Sequence, residues 1–159
     1  MHVRKTTYHD IPGPPSFRVW GTVRGCDGGA LCGDVVATRE LSAERLAILV
    51  ADALGSGMAR ARTSAALGAH VVALLALDLS PAYALRVADR ELREGGWHDE
   101  LPPLASIFAA IVDGPSRRLR YASAAHETAL VVGARGEHRH LVPSGPVAGL
   151  FCDADYRDV

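Results

Sequence analysis

A chain of 159 residues, 48% hydrophobic and 22% charged, is long enough for one soluble globular domain, because a chain of this size buries about 68–70% of its unfolded surface on folding. A formal charge of −1 leaves no basic surface for nucleic acid or for an anionic membrane. The longest apolar stretch, "AALGAHVVALLAL", carries His70 and is shorter than the roughly 20 residues that cross a bilayer, so it reads as a buried helix.

The opening "MHVRKTTYHDIPGPP" lacks the apolar segment of a secretory signal and reads as a proline-rich arm over residues 1–16. Residues 17–159 are expected to form one domain. The three cysteines Cys26, Cys32 and Cys152 are odd in number and include no C-x-x-C pair, the pattern of reduced thiols in a cytoplasmic protein. "SFRVWGTVRG" alternates with a period of two and predicts a strand, followed by the loop "GCDGGALCG". "DVVATREL" and "RLAILVAD" predict two strands joined by the short turn "SAE", hence a hairpin. From Gly57 to about Leu79 the pattern is helical and apolar around nearly the whole circumference, as expected of a helix packed on both sides. A second helix starts at Ser80 as N-cap with Pro81 in its first turn and ends at Gly95 and Gly96, with Pro81, Leu85, Ala88 and Leu92 on one stripe. "LASIFAAIVDG" and "PSRRLRYASA" predict a strand, a turn and a returning strand, and "ETALVVGARGEHRHLVP" a further hairpin. Strands, two helices, then more strands define an α+β fold with the helices on one sheet face.

Asp34 opens one strand of the first hairpin and Asp52 closes the other, so the two carboxylates share one edge of the sheet. Either aspartate alone is what a turn or a cap uses. Together they repel unless a cation or a proton lies between them, and hard divalent ions take such oxygen ligands. The turn Gly55, Ser56, Gly57 lets backbone approach closely, and the helix that follows points free N–H groups toward an anion such as phosphate. No lysine follows the turn, which sets it apart from a nucleotide-binding P-loop.

"CGDVVATRELSAERLAILVADALGSGMARARTSAAL" resembles the first half of the SpoIIE/RsbX-type branch of the metal-dependent (PPM) serine/threonine phosphatases. "LASIFAAIVDGPSRRLRYASAAHETALVV" is similar to that family's later strand–turn–strand ending in A-G-H, and "LVPSGPVAGL" to its glycine–proline turn. The resemblance spans about residues 17–151. It implies an α-β-β-α sandwich with a two-metal Mn²⁺ or Mg²⁺ centre at the sheet edge. Asp52 would bridge the metals, with the backbone carbonyl of Ala53 as a further ligand and Asp34 as a ligand or outer partner. Water activated at the metals would attack phosphorus in line. Gly55, Ser56, Gly57, Arg60 and His126 would meet the phosphate or substrate. The implied substrate is a phosphorylated protein of a partner-switching or stressosome pathway, an anti-sigma antagonist or scaffold domain. A pseudophosphatase that binds the same phosphoprotein without turnover is the alternative.

The family's later metal aspartates are not found, so the domain is expected to be partial at its C-terminal side. Asp153, Asp155 and Asp158 read as a solvated acidic loop rather than as ligands. A sandwich lacking strands would leave open edges, which invite a homodimer. His70 reads as a helix-packing residue, and His138 and His140 as one face of an edge hairpin.

Overall fold

The computed structural model describes residues 33–55, 57–95 and 103–159, together with residue 23. The elements are β1 (Asp34–Ser42), β2 (Arg45–Ala53), α1 (Gly57–Ala76), α2 (Pro81–Glu94), β3 (Ala105–Asp113), β4 (Arg118–Ala124), β5 (Ala129–Val132) and β6 (His138–Leu141). The arm over 1–16, Trp20, Cys26, Cys32, Ser56 and Trp97 lie outside the described residues, as does the strand expected over 16–25 apart from Val23, which is in no strand.

β1 to β4 form an antiparallel sheet in chain order, and β5 with β6 a second, two-stranded sheet. The alternation of β2 decides the layers. Ala47, Leu49, Ala51 and Ala53 are buried in one cluster with Leu67, Val71 and Leu75 of α1 and Leu85 and Leu92 of α2. Successive strand residues point to opposite faces, so Ile48, Val50 and Asp52 look away from the helices. On that second face Phe108, Ala110 and Tyr121 pack with Leu141 of β6, the two rings stacked at 5.5 Å between centroids. The result is the expected α+β sandwich; the described residues supply helix, sheet and sheet layers of the α-β-β-α order.

α1 corrects one expectation. Its buried residues, Thr63, Ser64, Leu67, Gly68, Val71, Val72 and Leu75, fall on a single stripe, while Ala65, Ala66, Ala69, Ala73 and Ala76 are exposed. The all-round apolar pattern came from alanine, which favours helix on a solvated face as well as a buried one. The helix also ends earlier than Leu79. Asp78 takes φ 61°, its N–H donates to Leu75 O and that of Leu79 to Leu74 O, a Schellman closure in which aspartate stands where glycine is usual. Arg45 steadies that corner by donating to Asp78 Oδ1 at 2.6 Å. α2 follows the sequence closely: Ser80 Oγ accepts from Tyr83 N, and Pro81, Leu85, Ala88 and Leu92 are all buried.

Asp153, Asp155 and Asp158 are exposed, as expected of a solvated acidic tail, but the tail that carries them is packed down. Tyr156 is 1% exposed and belongs to the helix-side core. Its hydroxyl donates to the buried Asp89 of α2, Arg86 donates to its carbonyl, and Asp158 Oδ1 accepts from Ala82 N in the first turn of α2. Val159 exchanges two backbone hydrogen bonds with Tyr121 of β4. That part of the β4 edge is met by the chain's own tail, so it gives no support to a homodimer paired there.

Candidate metal centre

Register brings the first two functional side chains together. Asp34 and Asp52 are direct partners in the β1–β2 ladder, and Asp52 is in turn the partner of Ser106 in the β2–β3 ladder. The flanking residues Val35, Ala53, Ala105 and Ile107 all pack on the helix side. Asp34, Asp52 and Ser106 therefore form a row on the opposite face, at the end of the sheet where β2 runs into α1.

A cation already lies on the carboxylates. Arg60, in the first turn of α1, donates from Nη2 to Asp52 Oδ1 at 2.5 Å and stands 3.5 Å from Asp34 Oδ1. Its side chain is 27% exposed, against 44% and 43% for the two aspartates. The arginine was expected to face phosphate; the structure lays it on the metal-ligand candidates instead. Gly33 makes room for it, because a Cβ there would fall 1.6 Å from Arg60 Nε. Gly33 also anchors the corner: its carbonyl accepts from Ala53 N and from Ser64 Oγ of α1. Ala53 is fully buried at the end of β2.

The turn between β2 and α1 requires its glycines. Gly55 has φ 126° and Gly57 φ 63°, conformations that a side chain resists. No acidic residue occupies the first turn of α1, so the positive end of the helix dipole faces the site without a side-chain carboxylate of its own. Arg62 is exposed two residues beyond Arg60.

His126 joins through a residue the sequence reading missed. Its Nδ1 is 2.7 Å from Ser106 Oγ, which makes Ser106 the link between the histidine and the aspartate row. Burial holds the His126 imidazole below its ordinary value, opposed by the negative charges of Asp52, Glu127 and Asp34. The signal for Ser106 was present as the one polar residue inside an otherwise apolar strand core, but its register opposite Asp52 depends on how the chain crosses over through two helices. Ala125, in the place of the glycine of the A-G-H motif, takes a left-handed φ of 48°, a conformation glycine adopts freely, and its N–H donates to Gly145 O.

Other candidates stay apart from the row. His70 pairs with Glu91 of α2 across the helix interface, 2.5 Å apart. The rings of His138 and His140 meet edge to face at 5.7 Å on β6. Asp153 and Asp155 are carried on the tail, where Asp155 accepts from Arg157. Among the described residues no group of three or more His, Cys, Asp or Glu side chains is placed to hold a metal ion. Cys152 is a free, exposed thiol, and no helix among the described residues is long and apolar enough to cross a membrane.

A helix pair on an antiparallel sheet, with two aspartates paired at the sheet end beside a glycine turn, is the arrangement this chain shares with PP2C-type phosphatase domains. The family description Stage II sporulation protein E (SpoIIE) matches residues 42–159, and the chain belongs to that family. Solved structures agree on the fold. RsbX in complex with magnesium superposes with a TM-score of 0.67 at 18% identity, covering 84% of this chain and 62% of that one. The SiaA PP2C domain of Pseudomonas aeruginosa gives 0.65 at 26% identity, covering 81% and 50%. The structure of the RsbU and RsbW domains of a Mycobacterium tuberculosis protein gives 0.68 at 22%, covering 84% and 37%. The chain thus spans less than two thirds of the length of each of these relatives. No curated protein matches the sequence.

Proposed function

We propose that this chain is the core of a divalent-metal-dependent protein serine/threonine phosphatase acting on a phosphorylated bacterial signalling protein in the cytoplasm, an anti-sigma antagonist or stressosome component. The observation that carries the reading is the Asp34–Asp52 pair on facing backbone positions at the end of the sheet, beside a helix N-terminus with no acid of its own. Membership of the SpoIIE family supports it, as do a relative solved with magnesium and another, at a TM-score of 0.65, whose structure was described as part of the bacterial stressosome.

The donor set suits the ion. Two carboxylates, both partly exposed, offer only oxygen, and Mg²⁺ is commonly held by one or two carboxylates plus water. Mn²⁺ accepts the same ligands. Asp34 and Asp52 would serve one such ion with water; among the described residues no group of three or more His, Cys, Asp or Glu side chains is placed to hold a metal, so a second ion would need further acids. A bound ion would supply positive charge for the phosphoryl oxygens and make a water acidic enough to attack phosphorus. Asp52 would be the central ligand, with Asp34 beside it and the carbonyl of Ala53 next along the chain. The backbone of the Gly55–Gly57 turn, with Ser56 between, and the start of α1 receive the phosphate. In the tautomer where Ser106 Oγ donates to Nδ1, neutral His126 would carry its N–H at Nε2 and could donate a hydrogen bond to a phosphoryl or leaving oxygen; giving that oxygen a proton would need the imidazolium form.

A second reading, a pseudophosphatase that docks the phosphoprotein without turnover, draws on the Arg60 contact and on the absence, among the described residues, of a third acid beside the pair. Phosphate release from a phosphoserine peptide, with and without Mn²⁺ and with Asp52→Ala as control, separates the two. The phosphatase reading expects Mn²⁺-dependent release that the substitution abolishes. Folded protein with no release above the Asp52→Ala level, yet still able to bind the phosphopeptide, selects the second.

A further inference from the structure

We infer that Arg60 is a built-in counter-ion of this site, and that a divalent metal enters by displacing its guanidinium from Asp52 and Asp34. The inference rests on the reading of those aspartates as metal ligands.

Three observations converge on it. The carboxylates are cross-strand partners, a placement that is unfavourable for two negative charges without a cation between them. Nη2 of Arg60 supplies that cation, 2.5 Å from one carboxylate and 3.5 Å from the other. The side chain also runs over Gly33: its Nε, Cδ and Cζ lie 1.6 to 2.4 Å from where a Cβ of Gly33 would be, so a side chain at 33 would force the arginine to shift. The same atom Asp52 Oδ1 cannot serve a hydrogen-bonded guanidinium and a hard cation at full strength, since both draw on the same negative charge. Arginine is charged at every accessible pH, so the competition is not relieved by titration. It is relieved by movement. Arg60 sits in the first turn of α1, next to the Gly55–Gly57 turn, and its long stem lets the head swing outward without shifting the helix. Once displaced, it stands at the mouth of the site as a phosphate donor, which gives one residue two successive partners of the same chemical type, carboxylate and then phosphate.

Isothermal titration of Mn²⁺ into the full chain tests this without reference to turnover. Arg60→Ala is expected to bind Mn²⁺ about three- to tenfold more tightly than the natural sequence, and Arg60→Lys, which keeps a charge but loses the fork, to fall between. In the absence of metal, Arg60→Ala is expected to melt lower than the natural protein, and in saturating Mn²⁺ to recover most of the difference. Circular dichroism establishes that each variant is folded. Equal or weaker Mn²⁺ binding by Arg60→Ala overturns the counter-ion, and if binding is still lost in Asp52→Asn the metal reading survives it. Absence of Mn²⁺ binding in the natural protein and in Arg60→Ala alike overturns both.

Discussion

Ser106 Oγ lies 2.7 Å from His126 Nδ1, and Ser106 is the cross-strand partner of Asp52, so one hydroxyl ties the histidine to the aspartate row. Burial lowers the His126 pKa, and the nearby charges, Asp52 first, pull it back up. The native state therefore binds a proton less readily than the unfolded chain, whose histidine titrates near 6.5. Stability is expected to rise with pH from the depressed native value up to about 6.5, and to fall on acidification through that window. Proton NMR of the imidazole should give a midpoint below 6.5, and Asp52→Asn should lower it further. A midpoint at or above 6.5 would contradict the half-buried placement of the ring.

Asp89 is 3% exposed and serves three partners. Its Oδ1 accepts from Gly149 N at 2.8 Å and Tyr156 OH at 3.1 Å, and its Oδ2 from Arg93 Nε. Burial first, then the Asp89 charge, pushes the Tyr156 hydroxyl above the ordinary phenol range, so it stays a donor at any working pH. Asp89→Ala leaves a buried N–H and a buried hydroxyl unpaired and is expected to destabilise by about 3 kcal/mol; Tyr156→Phe, which removes one donor only, by about 1 kcal/mol. Urea unfolding of the two variants checks both, and a loss under about 1 kcal/mol for Asp89→Ala would mean that water replaces the carboxylate.

Ala125 is exposed and holds φ 48°. A Cβ in that region is unfavourable by roughly 1–2 kcal/mol, partly offset by the greater freedom of glycine in the unfolded chain. Ala125→Gly is expected to raise stability by about 1 kcal/mol, or the melting temperature by roughly 2–4 °C for a chain of this length. A thermal melt that moves down instead would show that the methyl group packs.

Two side chains cap the first turn of α2: Ser80 Oγ accepts from Tyr83 N and Asp158 Oδ1 from Ala82 N. Each alanine substitution is expected to destabilise by about 1 kcal/mol. Asp158→Asn keeps an acceptor and should recover part of the loss. If Asp158→Ala leaves the unfolding midpoint unchanged, the tail does not hold the helix.

Local pattern was enough for much of the fold. The hairpin from Asp34 to Asp52, the Ser80–Pro81 start of α2 and its buried stripe are legible because they depend on residues close in sequence: a period of two, a short turn, an N-cap. The Asp34–Asp52 pairing belongs to the same class, since a tight turn fixes register. The end of α1 was less legible because aspartate, not glycine, takes the left-handed position at 78, and its buried face was masked by alanines that suit either environment. The link from Asp52 to Ser106 and His126 crosses two helices, and no local rule sets a register over that distance. The tail read as solvated because its acids are surface types; only the packed structure shows Tyr156 under α2 and Asp158 on its first turn. The same holds for Arg60. Sequence placed a cation near the glycine turn, while the space above Gly33 and the closeness of two carboxylates decided which charge it meets.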